Sequence, residues 1–159
     1  MSSVDVINAD ELRDLYRELI LDHARKPRHF GKLEGATHTA LGINPLCGDK
    51  LHLYLLVDDS GKICDAQFEG SGCAISVASA SLLTENIIGL NKDEALERFA
   101  EVTSRLTGAS QGSVDNVDLG KLRALEGVRD FPMRVKCATL AWHALNSAIL
   151  QSQSPAKTE

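Results

Sequence analysis

The chain of 159 residues has no surplus of positive charge: 17 Lys and Arg stand against 22 Asp and Glu, a formal net charge of −5. An acidic chain without a basic stripe is a poor match for a phosphate backbone, so nucleic acid is not an expected partner. Long apolar runs are missing as well. None approaches the ~20 residues that a membrane-crossing helix needs, so no membrane partner is expected either. The first residues, Met1 to Asp14 (MSSVDVINADELRD), lack a cationic start followed by an apolar stretch and do not read as a secretory signal. No internal repeat is visible. These absences point to a cytoplasmic protein. Cysteine is sparse, at four residues. In a reducing compartment that number argues for metal binding or thiol chemistry rather than disulfides, with buried inert thiols as the plain alternative.

What is present is ordinary globular composition, 43% hydrophobic and 25% charged. The expectation is a single domain over residues 1–159, with a core large enough to fold without staples and loose ends at about 1–8 and 151–159. Leu12, Leu15, Tyr16, Leu19, Ile20 and His23 recur on one face of a 3.6-residue period, predicting a helix from about Asp10 to Lys26 that stops before Pro27. Three extended segments follow. The first covers roughly Gly35 to Ile43. The second sets Leu51, Leu53, Leu55 and Val57 against His52 and Tyr54, and ends at the turn Asp58-Asp59-Ser60-Gly61. The third runs from Ile63 to Gly70, with Cys64, Ala66 and Phe68 on one face. Helical periods then cover Cys73 to about Ile88, Asn91 or Asp93 to about Leu106, a short stretch near Asp118 to Leu125, and a last helix opened by Pro132. Strands first and helices afterwards predict an α+β fold: a three-stranded antiparallel sheet with helices packed on one face.

Three cysteines fall at element boundaries, where side chains from distant segments converge. Cys47 lies in the Pro/Gly-bracketed turn Asn44-Pro45-Leu46-Cys47-Gly48-Asp49 and is expected to be the most exposed of the three. Cys73 opens a helix after Gly70-Ser71-Gly72. Cys137 lies in the first turns of the last helix, after Arg134 and Lys136. Helix starts and neighbouring cations favour thiolates at Cys73 and Cys137. Three thiolates and one carboxylate complete a tetrahedral zinc site, and Asp49, two residues after Cys47, is the carboxylate candidate. Spacing alone does not separate this from inert burial. Cys64, alternating with Ala66 and Phe68, reads as a small core residue. His143 reads as a structural histidine, and the cluster from Asp22 to His29 as a solvated helix end or a docking patch for an acidic surface.

Four ordered motifs carry a resemblance over roughly Leu15 to Leu150. They are Leu21-Asp22-His23 leading to Pro27-Arg28-His29-Phe30-Gly31; Asn44-Pro45-Leu46-Cys47-Gly48-Asp49; Gly70-Ser71-Gly72-Cys73-Ala74-Ile75-Ser76; and Arg134-Val135-Lys136-Cys137. Together they resemble the IscU/NifU-like family of iron–sulfur assembly proteins. Lys136 stands where scaffold members carry a histidine, and a long stretch over Gly108 to Asp130 resembles the insertion of the SufU branch. The resemblance implies Cys47, Asp49, Cys73 and Cys137 as metal ligands. It also implies a zinc-dependent sulfurtransferase in which a SufS-type cysteine desulfurase frees Cys47 and passes it persulfide sulfur for downstream iron–sulfur assembly proteins. The alternatives are a scaffold that builds a [2Fe–2S] cluster on the same residues, with iron in place of zinc, and a structural zinc module. A chain this long should fold without metal, so zinc is expected to add stability by mass action.

Overall fold

A computed structural model describes residues 9–45, 48–107, 120–128, 131–151 and 156–157. In chain order the elements are α1 (Ala9–Arg25), β1 (His38–Asn44), β2 (Asp49–Val57), β3 (Ile63–Ser71), α2 (Ala74–Ile87), α3 (Lys92–Thr107), a 3₁₀ segment (Gly120–Val128), α4 (Pro132–Leu150) and the two-residue β4 (Ala156–Lys157). The sheet order is β3-β2-β1-β4, and the three long strands pair antiparallel. This is the α+β arrangement expected from the sequence. The tail, expected to be loose, supplies Ala156 and Lys157, which pair parallel with Gly42 and Ile43.

Alternation places one face of the sheet in the core. Ala40 pairs with Leu53, which pairs with Phe68; Leu55 pairs with Ala66. All of these are buried and packed beneath α2 and α4. Helix α2 is rich in Ala and Ser because it is enclosed, packing on α1, α4 and β3. Small side chains let the backbones approach: Ser79 Oγ donates to the Ala138 carbonyl of α4 at 2.5 Å. Helix α3 opens on a reciprocal cap, with Glu94 N–H donating to Asn91 Oδ1 at 2.8 Å and Asn91 N–H to Glu94 Oε1 at 3.0 Å. No helix among the described residues is long and apolar enough to cross a membrane.

Three details depart from the sequence expectation. Cys64 is exposed, not a core residue. The ladder shifts register between Leu56 and Val57: Leu56 faces Asp65 while Val57 faces Ile63. Cys64 is therefore the extra residue of a bulge, and Ile63 takes the inward position. Tyr54, on the face opposite the helices, is only 5% exposed. Its hydroxyl donates to Glu69 and its ring stacks on His52 at 4.2 Å. The segment around His23 is a solvated helix end only in part: Asp22, Arg25 and Lys26 are exposed, but His23 is not. His23 is 1% exposed, with Nδ1 2.7 Å from Ser81 Oγ and Nε2 3.6 Å from Glu85. Arg28 N–H donates to the same Ser81 oxygen at 2.9 Å, and Phe68 N–H donates to the His29 carbonyl. Residues 22–31 thus bind α1 to α2 and to the outer edge of β3.

Candidate metal centre

The site forms where the β1–β2 turn, the end of β3 and the start of α4 meet. Asp49 is the first residue of β2, 2% exposed, and pairs across the ladder with Asn44. Backbone at the end of β3 passes very close to it. A Cβ on Gly70 would lie 2.2 Å from the Lys50 carbonyl oxygen, so only glycine, here with φ +145°, allows the strands to meet. A Cβ on Gly72 would lie 2.8 Å from Asp49 Oδ1. These two glycines bring the next residue, Cys73, onto the carboxylate: Cys73 N–H donates to Asp49 Oδ1 at 3.0 Å.

Cys73 is the N-cap of α2. It has extended backbone, and its sulfur accepts the Ser76 N–H at 3.4 Å, the place usually taken by a Ser or Asp oxygen. Its sulfur lies 3.9 Å from Asp49 Oδ2. Cys137 comes from α4 and is 4% exposed, with the Asn44 side-chain amide donating to its sulfur at 3.8 Å. Ligand atoms of Asp49, Cys73 and Cys137 all lie within 4.8 Å of one another. The Cys47 sulfur lies outside the described residues.

The expectation that the start of α4 would favour a Cys137 thiolate does not hold for the metal-free arrangement. Burial, then hydrogen bonding and charge from Cys73 and Asp49, push its thiol far above the ordinary range. Cys137 lies beyond the first turn, where the helix dipole fades. Arg134 is exposed and holds its guanidinium 4.7 Å over the Phe131 ring. Lys136 is half-buried. His143 lies edge-on to Phe99 at 5.5 Å and takes no part in the triangle; burial lowers its pKa.

The donor set fits a thiophilic divalent cation. Two sulfurs and a carboxylate are held where their anionic forms repel one another, and a cation between them removes that repulsion. Zinc–sulfur bonds of about 2.3 Å place tetrahedral donors about 3.8 Å apart, close to the 3.9 Å between Cys73 Sγ and Asp49 Oδ2 and within the 4.8 Å that spans the three ligand atoms. Asn44 is the residue that periodicity missed. Its signal was a polar side chain ending the alternation Ala40, Gly42, Asn44 on the core face of β1.

Residues 15–138 match the family model described as the NifU-like N-terminal domain. The chain is 41% identical over 142 residues to the iron–sulfur cluster assembly scaffold protein IscU of Streptococcus pyogenes, covering 89% of this chain and 87% of that one. It is equally 41% identical over 143 residues to the zinc-dependent sulfurtransferase SufU of Bacillus subtilis, covering 89% and 94%. Among solved structures it superposes with a TM-score of 0.76 on a SUF-system assembly scaffold protein from Fervidobacterium islandicum, at 39% identity, covering 83% of this chain and 94% of that one. A NifU-like N-terminal protein from Brucella abortus gives a TM-score of 0.77 at 26% identity, covering 88% and 95%. On the match over residues 15–138 and these identities, the chain belongs to the IscU/NifU-like family of iron–sulfur cluster assembly proteins.

Proposed function

We propose that the chain is a zinc-dependent sulfurtransferase that accepts persulfide sulfur on Cys47 for iron–sulfur cluster assembly. The observation that carries the reading is the triangle of Asp49, Cys73 and Cys137, two soft donors and one hard one on three rigid elements. Cys47 stands two residues before Asp49, so its Cα lies within about 7 Å of the Asp49 Cα, near enough to supply a fourth ligand. Zinc in such a site keeps thiols deprotonated without redox chemistry of its own.

The chain's residues then divide the work. Asp49, Cys73 and Cys137, fixed by β2, the α2 cap and α4, hold position. Cys47 provides the transferring thiolate. It attacks the outer sulfur of the desulfurase persulfide. A new sulfur–sulfur bond forms at Cys47, the old one breaks, and the desulfurase cysteine departs as thiolate. Exposed Phe131 and Met133, with the Arg134 guanidinium stacked over the Phe131 ring, stand at the start of α4, the helix that carries Cys137, and suit a docking protein. A SufS-type cysteine desulfurase is the donor in this reading, downstream assembly proteins are the acceptors, and the cytosol is the compartment in which free thiols persist.

A scaffold for a [2Fe–2S] cluster is the second reading, favoured by the identical 41% similarity to an IscU. Lys136 weighs against it, since an ammonium offers no lone pair where scaffold members have a histidine. Desulfurase turnover with zinc-loaded protein, with and without Cys47→Ala, tests the choice. Stimulation that disappears in the variant supports sulfur acceptance. A variant that accepts sulfur like the wild type removes the reading. A coloured, stable cluster after anaerobic iron and sulfide reconstitution, with no stimulation, selects the scaffold.

A further inference from the structure

Asn44 is fully buried, at the end of β1, opposite Asp49. A buried amide requires partners, and burial without them costs about 1–3 kcal/mol. Its backbone carbonyl accepts Gly48 N–H at 2.8 Å, closing the turn that contains Cys47. Its side-chain Nδ2 donates to Cys137 Sγ at 3.8 Å. That orientation suits a metal-bound sulfur: a thiolate only accepts, so only the nitrogen end of the amide could then meet it. Cys73 receives an equivalent bond from Ser76 N–H. Each sulfur of the triangle therefore accepts at least one N–H donor.

An N–H bond to a thiolate withdraws charge from the sulfur. The sulfur becomes a weaker nucleophile and a fixed ligand, and its direction toward the metal is set by the donor. We propose that Asn44 is a positioning residue of the metal centre, its side-chain amide fixing the Cys137 sulfur as a retained ligand while its carbonyl closes the turn bearing Cys47. This rests on the metal-site reading above. It assigns the retention of the Cys137 sulfur partly to a residue that is not a ligand.

Asn44→Leu and Asn44→Asp keep a side chain branched at γ and remove the N–H. In cobalt-loaded protein the thiolate-to-metal charge-transfer band should move to lower energy in both variants. Zinc affinity, measured by competition with a chromophoric chelator, should fall about 10–100-fold in Asn44→Leu. A merely structural residue would lower stability without moving the band. In wild-type protein loaded with ¹¹³Cd, a metal–proton correlation should connect cadmium to an Asn44 side-chain amide proton. Folded variants with an unchanged band, or a cadmium spectrum showing ligand Cβ protons but no Asn44 amide proton, would overturn the proposal. If neither variant folds, the wild-type cadmium spectrum decides alone. Cobalt-loaded wild type without any thiolate band would instead remove the metal-site reading, and this one with it.

Discussion

Gly72→Ala tests how tightly the end of β3 is drawn onto Asp49. The backbone at Gly72 is not in the left-handed region, so an alanine there meets no conformational penalty; the whole effect comes from its methyl. That methyl would lie 2.8 Å from Asp49 Oδ1 and 3.0 Å from Cγ. Ordinary contact requires the carboxylate to retreat by about 0.5 Å or more. The Cys73 N–H bond to that oxygen, now 3.0 Å, would stretch to about 3.5 Å and lose most of its strength. A hydrogen bond with one charged partner contributes about 1.5–3 kcal/mol, so a loss of about 1–2 kcal/mol is expected in metal-free protein. In a chain of this length that lowers the melting temperature by about 2–8 °C. Because Asp49 is itself displaced, zinc affinity should fall by about 5- to 30-fold, each tenfold corresponding to about 1.4 kcal/mol. Calorimetric melting and chelator competition read the two effects. Ser71→Ala, an exposed neighbour, is the control and should stay within about 0.5 kcal/mol of wild type. If Gly72→Ala matched wild type in both assays, the close approach of Gly72 to Asp49 would be refuted.

Ser81→Ala strips the shared acceptor from the part-buried Arg28 N–H and the partner from buried His23, and should cost about 2–3 kcal/mol in urea unfolding; a loss under about 0.5 kcal/mol would show that residues 22–31 are held by other contacts. Burial holds His143 below its ordinary value of 6.5, and likewise His38 and His52. The unfolded chain therefore takes up protons first as pH falls, so stability from these neutral rings is complete above about 6.5 and declines below it toward the folded values. Urea midpoints should drop between pH 7.5 and 5.5, and His143→Leu should flatten the slope; a slope that is unchanged or reversed would contradict the burial argument.

Much of the fold was legible because its elements obey local periods. The strand alternation Leu51, Leu53, Leu55, Val57 and the Pro132 helix start decide their own structure. The start of α2 was legible from the Gly70-Ser71-Gly72 turn before Cys73, whereas the capping bond from Ser76 N–H to the Cys73 sulfur was not. What escaped depends on residues far away in sequence. Cys64 has a core pattern on its own strand and is turned outward only because β2 has one residue fewer at that point. His23 is buried because Ser81 and Glu85, more than fifty residues later, come to meet it. Tyr54 alternates outward yet is enclosed by Glu69 and His52 on its own face. At the metal centre the donors could be named from their residue types. That Asp49, Cys73 and Cys137 converge depends on the close strand approach at Gly70 and Gly72, which is a property of the sheet.

The bulge in the β2–β3 ladder has a practical corollary. It puts one thiol in solvent at the start of β3, while Cys73 follows the end of the same strand. At about 3.3 Å per residue the two sulfurs stand roughly 25–30 Å apart, joined by a rigid ribbon. Cys64 should alkylate at the same rate whatever occupies the far end. Cys73 should be labelled freely in the empty protein and protected once a metal binds. A single mass spectrum of one alkylated sample then contains both the occupancy signal and its own internal standard.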